Sequence, residues 1–323
     1  MKKAISTLKA VKRRLQRKPV TIGTPTPEID INLPLVTSLL KEQHPDLAHL
    51  PIQYIGSGWD NTMFRLGERL LIRLPHRAAA APLIEREQTW LPLLSAQLPI
   101  AVPVPYRLGK PGQDYPWCWS VLPWLAGVTA DKIAPHANQA KPFASFLRAL
   151  HLPAPQNAPV HAVRGVPLKQ QRLTAVKTRM RRLEVNTKLI TPKIKLAWKI
   201  ALKTPIDVQP KWLHGDLHAR NILVENGVIT GIIDWSDMTS GDIATDLAAI
   251  WTLFSEKATR KQVIAEYADI SAETLQRAKG WAILFGVVLL DTGLVNNPKN
   301  AAMGKEILSR IDEDESVSIR DAR

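Results

Sequence analysis

Between Ile222 and Asp234 the chain reads ILVENGVITGIID, and this stretch restricts the fold more tightly than any other. Two β-branched runs flank Asn226–Gly227, the dipeptide that suits a type I′ turn because both central residues need φ above zero. The stretch is therefore expected to be a β-hairpin. A two-residue loop sets its register, with 225 facing 228, 224 facing 229 and 221 facing 232. Asp234 then lies two residues beyond the partner of Asn221, a diagonal neighbour about 7–8 Å away. A side-chain carbonyl and a carboxylate at that separation can grip one hard cation between them. Mg2+ suits such a pair, because it keeps several waters and shares its shell with phosphates. Asp216 stands five residues before Asn221, on the loop leading into the first strand. The hairpin thus presents three oxygen carriers at one end. Phosphoryl transfer needs such a set, being mostly positioning and charge neutralisation, with a carboxylate to take the proton of an attacking hydroxyl.

The flanking patterns divide the chain. From Pro51, PIQYIGSGWDNTMFRLGERLLIRLP predicts two or three strands with turns at Gly56–Gly58 and Gly67–Glu68. PLIEREQTWLPLLSAQL predicts a helix over 82–98, with Leu83, Glu87, Trp90 and Leu94 on one face. Further extended segments follow, then a helix over 143–151. Residues 168–203 are expected to be helical, with Leu173, Val176, Met180 and Leu183 as the buried stripe. After the hairpin come helices over 242–254, 261–270 and 271–294, and an acidic tail, IDEDES, that looks solvated. Asp242 is placed to cap the first of these helices. Asp246 either braces the loop around Asp216 or is a solvated helix residue. The reading is a basic extension over 1–27, a β-rich part over 28–123 and a mainly helical part over 124–323, with a ligand cleft between the last two.

Charge and cysteine narrow the setting. The net charge of +14 sits in two patches. Residues 1–20 hold eight Lys/Arg and no acid, and residues 168–203 hold eleven and one acid, Glu184. Such patches can meet nucleic acid, a membrane surface or an anionic ligand, or simply be solvated helix faces. Ile5, Leu8, Val11 and Leu15 predict a frayed terminal helix whose apolar face is narrow. No apolar run approaches the ~18 residues that would suggest a membrane span. Cys118 is the only cysteine, so no intrachain disulfide can form, and a cytoplasmic protein is the simplest expectation.

HGDLHARNIL together with GIIDWSDMTSGDIATDLA resembles the aminoglycoside phosphotransferase family of the protein-kinase-like superfamily. The resemblance continues upstream through DNTMFRLGERLLIRLP, EREQTWLPLLSAQLPIAVPVP and YPWCWSVLPWLAG, and spans about residues 28 to 310. It implies an α+β, two-lobed fold and a kinase using ATP or GTP with Mg2+. It further implies Asp216 as catalytic base, Asn221 and Asp234 as metal ligands, and His214 as a structural residue. Leu122 to Trp124 would be the hinge beside the nucleotide base, and Gly56, Ser57 and Gly58 the loop over the phosphates. Arg73 would anchor the phosphates, paired with Glu87. Two features depart from the wider kinase pattern: Arg73 stands where most kinases have Lys, and GSGWDN is shorter than G-x-G-x-x-G.

Two other functions compete. In an extended chain His214, Asp216 and His218 would share one side and could hold zinc in a metallohydrolase. A non-catalytic nucleotide-binding module is the other. If the chain is a kinase, an aminoglycoside is the family's namesake acceptor, and antibiotic resistance would follow. A macrolide, a sugar or another metabolite competes, because the cationic 168–203 segment should repel a polycation. Asp237, Asp291 and the acids of 312–315 are the groups that could offset it. His218 is expected to be an ordinary loop residue.

Overall fold

The computed structural model describes residues 26–315 except Arg172, so the N-terminal helix expected over 1–18 lies outside the described residues. Helix α1 (Leu33–Gln43) opens the fold, its first turn closed by the Asn32 side chain accepting from Leu35 N at 3.1 Å. Strands β1 (Ile52–Ser57), β2 (Asn61–Leu66) and β3 (Leu70–Pro75) follow, three where two or three were expected. Helix α2 (Ala81–Ser95), β4 (Arg107–Gly109) and β5 (Trp119–Pro123) complete this part. The five strands make one antiparallel sheet in the order β1-β2-β3-β5-β4. Its apolar face packs Phe64, Leu66, Ile72, Leu74, Trp119 and Val121 against α1.

Beyond β5 come β6 (Val128–Thr129), α3 (Ala140–Leu150), α4 (Leu173–Asn186) and α5 (Pro192–Lys203). Next are β7 (Lys211–Leu213), β8 (Ile222–Glu225), β9 (Val228–Ile232) and β10 (Thr239–Gly241). Helices α6 (Ala244–Leu247), α7 (Ala249–Leu253), α8 (Lys257–Tyr267), α9 (Ala272–Asn296) and α10 (Pro298–Asp314) close the chain. A polar cap followed by proline starts α5 at Thr191–Pro192 and α10 at Asn297–Pro298. The larger core lies among these helices, and Leu91 and Leu94 from the far half of α2 pack into it. The molecule is therefore α+β, with a small sheet-rich part and a larger helical part.

Several expectations need correction. The buried face of α2 carries Ile84, Glu87, Leu91 and Leu94; Leu83 and Trp90 are only half-buried beside it. The helix expected over 242–254 is two short helices, α6 and α7. Both are buried all round, so no amphipathic period marks the break. The acidic tail keeps contact with solvent, but its acids are paired rather than free. Glu313 and Asp314 pair with the buried Arg260 at 2.6 Å each, and Glu315 pairs with Lys279. Finally, α9 is long and apolar enough to cross a membrane by length and composition. Its apolar window is 61% buried, against α4, α5, α6 and α10, and that accounts for its composition.

Candidate active site

The hairpin forms as expected at its turn, where Asn226 and Gly227 adopt φ of 51° and 76°. Its register differs further down. Glu225 faces Val228 and Val224 faces Ile229, but a bulge then pairs Leu223 with Gly231 and Ile222 with Ile232. The extra residue is Thr230, whose hydroxyl donates to Ala126 O at 2.7 Å. Asn221 O consequently accepts from Ile233 N at 2.9 Å, and Asp234 lies one residue past that partner rather than two.

The loop before β8 is held by buried groups. Asp246, wholly buried on α6, accepts from His214 N at 2.7 Å and Gly215 N at 2.9 Å, so it braces this loop. Gly215 has φ 86°, and a Cβ there would sit 2.2 Å from Asp237 O, so only glycine fits. Buried His214 accepts from Asp216 N through Nδ1 at 3.3 Å and faces Ile233 O through Nε2 at 3.0 Å. Both ring nitrogens are thereby used, which leaves neither for zinc, and no metal cluster of His, Cys, Asp or Glu occurs among the described residues. The His214, Asp216 and His218 metal site is thus not formed.

Asp216 sits at the mouth of this loop. Asn221 Nδ2 donates to Asp216 O at 2.9 Å, which leaves the Asn221 carbonyl for a cation. Asp234, exposed at φ 62°, accepts from Ser236 Oγ at 2.7 Å and keeps its second oxygen. An amide oxygen and a carboxylate are the donors Mg2+ takes. His218 is more than a loop residue, because its Nε2 lies 3.3 Å from Asp216 Oδ2. Burial alone would raise the Asp216 carboxyl. His218 and the Arg164 guanidinium outweigh it and hold the group well below the usual carboxylate range.

From the sheet, Arg73 on β3 and Glu87 on α2 form a buried ion pair. Asp234 and His214 lie within electrostatic reach of Glu87, so the pair faces the hairpin end. Burial raises the Glu87 carboxyl above its usual range, against the pull of Arg73. Arg73 Nε and Glu87 Oε2 are buried without hydrogen-bond partners. A buried guanidinium with an unused donor fits a phosphate, so the residues present suit a nucleotide. The β1–β2 connection carries Gly56, Ser57 and Gly58, with Gly58 N bonded to Asn61 O at 2.8 Å and open space around Gly56. Ser57 Oγ leads through Thr62 (3.1 Å) to buried His76 (3.3 Å), a chain that sequence reasoning missed. Leu122 is buried in β5 opposite Leu71. Trp124 stacks under the Arg65 guanidinium at 3.7 Å, and its amide is spent on Arg69 O at 2.7 Å. Pro123 has no amide hydrogen and Trp124 spends its own, so neither offers a free backbone donor.

The residue most plainly missed is Arg164. Its Nη2 lies 2.6 Å from Asp216 Oδ1 and its Nε 3.1 Å from Asp237 Oδ2, while Phe285 lies beneath its guanidinium. Gly165, at φ 66°, anchors the same loop by donating to Thr245 Oγ1 at 3.1 Å and accepting from Asp242 N at 2.8 Å. Helix α6 has Ile243 at its N-cap, with no side-chain cap bond; Asp242, one residue earlier, accepts from Ala244 N at 3.2 Å and holds the buried Arg277 at 2.7 Å. No local pattern marks Arg164, which lies 52 residues before Asp216 on an irregular loop.

A sheet-rich lobe, a helical lobe and this site between them define a phosphotransferase of the protein-kinase-like class. The model of the phosphotransferase enzyme family (APH) matches residues 51–281, and the chain belongs to that family. Among solved structures, the GDP complex of aminoglycoside 2'-phosphotransferase-IIIa superposes with a TM-score of 0.62 at 18% identity, covering 88% of this chain and 100% of that one. The apoenzyme of macrolide 2'-phosphotransferase MphH from Brachybacterium faecium gives 0.56 at 18% identity, over 88% and 99% of the two chains. An uncharacterized protein of Bacillus subtilis (strain 168), YcbJ, is 41% identical over 58 residues, a match spanning only 18% of either chain.

Proposed function

We propose that this chain transfers the γ-phosphate of ATP or GTP to a hydroxyl of a small molecule. The observation that carries the reading is the joint placement of Asp216, Asn221 and Asp234 at the hairpin end, opposite the buried Arg73–Glu87 pair. Asn221 and Asp234 would hold Mg2+, which when bound neutralises charge on the transferring phosphate. Arg73, steadied by Glu87, would hold the phosphates under the Gly56, Ser57 and Gly58 loop. Leu122 to Trp124 would flank the base, at the boundary between a nucleotide lobe over 28–123 and an acceptor lobe over 124–323. Asp216 stays ionised and accepts a hydrogen bond from the acceptor hydroxyl, then its proton. A cytoplasmic setting, where nucleotide is plentiful, suits this reading and the single Cys118.

Relatives of this fold are described in complex with GDP and kanamycin, and as macrolide kinases. Aminoglycosides and macrolides are therefore the first acceptors to try, beside sugar alcohols, and turnover of an antibiotic would make the chain a resistance factor. The test is nucleotide consumption with Mg2+ across that panel, with Asp216→Asn as control. Acceptor-dependent turnover should fall about 10²–10⁴-fold in the variant. Full turnover in Asp216→Asn would remove the base from the mechanism.

A further inference from the structure

A cavity of about 420 Å³ opens beside Asp216, between α4, α9 and the Arg164 loop. Its walls are apolar, chiefly Val176, Leu284, Phe285 and Val288. The ionisable groups lining it are Arg164, Arg179, Asp216 and His218. The carboxylates that could receive a cationic acceptor are already taken. Asp237 is held by Arg164. Asp291, 6% exposed behind the wall, is held by Arg179 at 2.8 Å and by both Arg182 Nε and Nη2, at 2.6 and 2.5 Å. The acids of 312–315 are bound elsewhere, to Thr191, Arg260 and Lys279. None of the groups expected to offset the basic segment is therefore available.

The charge is also polarised along the cavity. At the Asp216 end the carboxylates of Asp216 and Asp237 face the Arg164 guanidinium and two imidazoles, His218 at 3.3 Å from Asp216 and His161 at 3.7 Å from Asp237, the His161 pKa being lowered by burial. At the α4–α9 end two guanidiniums face one carboxylate, leaving one positive charge in excess. Arg179 spends only Nη1 on Asp291 and is 27% exposed in its side chain, so it can bond a second anion. The remaining cations of the segment, such as Lys177, Arg181 and Lys199, face solvent rather than the cavity.

We infer that the acceptor is an apolar alcohol bearing one anionic group, its hydroxyl at Asp216 and its anion at Arg179. This rests on the phosphotransfer reading for the role of Asp216, but not for the charge preference of the cavity. Arg179 is a specificity residue: it selects a charge at the far end from the reacting hydroxyl.

The experiment measures binding to the full chain, by calorimetry, of three probes of one length: ω-hydroxydecanoate, its methyl ester and the corresponding amino alcohol. Kanamycin serves as the polycation. The acid should bind about tenfold tighter than the ester, with the amino alcohol weakest. Arg179→Gln should bring the acid to within about twofold of the ester, since one charged contact carries the difference. It should leave the ester unchanged, and it retains Arg182 on Asp291. Phe285→Ala should weaken acid and ester alike. The inference is overturned if the amino alcohol or kanamycin binds as well as the acid, if the acid's advantage survives Arg179→Gln, or if no probe binds. Mg2+-dependent nucleotide binding, measured on the same samples and on Asn221→Ala, reports on the kinase reading separately. Its absence alongside selective acid binding would sink that reading and leave the cavity assignment standing.

Discussion

Asp246→Asn probes what holds the loop carrying Asp216, although Asp246 Oδ2 also lies 3.4 Å from the buried His151 Nε2. The carboxylate is wholly buried, and each oxygen accepts one backbone N–H, from His214 at 2.7 Å and from Gly215 at 2.9 Å. Asparagine has the same shape but only one acceptor. Whichever way the amide is turned, its NH2 faces one of the two backbone donors. One bond is then lost with a donor stranded, and the other falls from charge-assisted to neutral. Together these come to about 3–4 kcal/mol, a large part of the 5–15 kcal/mol a domain usually has. Relief comes only if the loop swings away, and a displacement near 1 Å at Asp216 costs about a hundredfold in rate. Urea unfolding should therefore show the stability loss, and steady-state kinetics should show kcat falling while nucleotide affinity stays within a few-fold. A variant that loses under about 1 kcal/mol and keeps its kcat would refute the argument that Asp246 positions the loop.

Gly215→Ala places a Cβ 2.2 Å from Asp237 O at a positive φ, and should cost at least about 2 kcal/mol in urea unfolding. The Asp207 carboxyl is raised by burial, but bonds from Ser271, Arg277 and Thr274 outweigh that and bring it down to about 2. A pKa depressed on folding stabilises above the ordinary carboxylate range and loses that contribution as pH falls through the folded value. The stability gap between wild type and Asp207→Asn, followed by unfolding at stepped pH, should be full at neutral pH and shrink towards pH about 2. A gap independent of pH would count against the pairing.

The parts of this site that could be foreseen are those encoded locally. Asn226–Gly227 announces its turn because few other dipeptides tolerate two positive φ angles in succession. Asp216, Asn221 and Asp234 are close in sequence, so a strand and a turn suffice to bring them together. The bulge at Thr230 escaped because an extra residue in a β-branched run leaves the alternation readable either way, and the hydroxyl bond to Ala126 that settles it is a tertiary contact. Glu313 and Asp314 looked solvated for a related reason. A run of acids is ordinarily exposed and unpaired, and only Arg260, brought against them by the packing of α8 on α10, ties both down, covering Asp314 while Glu313 stays half exposed. Arg164 is the extreme case, since its loop has no periodicity and its partners are set by the positions of Gly165 and Asp237. The same logic refines the expectation about charge. From its sequence the basic segment should border the pocket and repel a polycation; helical geometry turns most of its cations outward and leaves Arg179 facing in from α4. On the inference above, a preference against polycations would come from carboxylates already paired inside the protein, two of the pairing cations, Arg179 and Arg182, being supplied by residues 168–203.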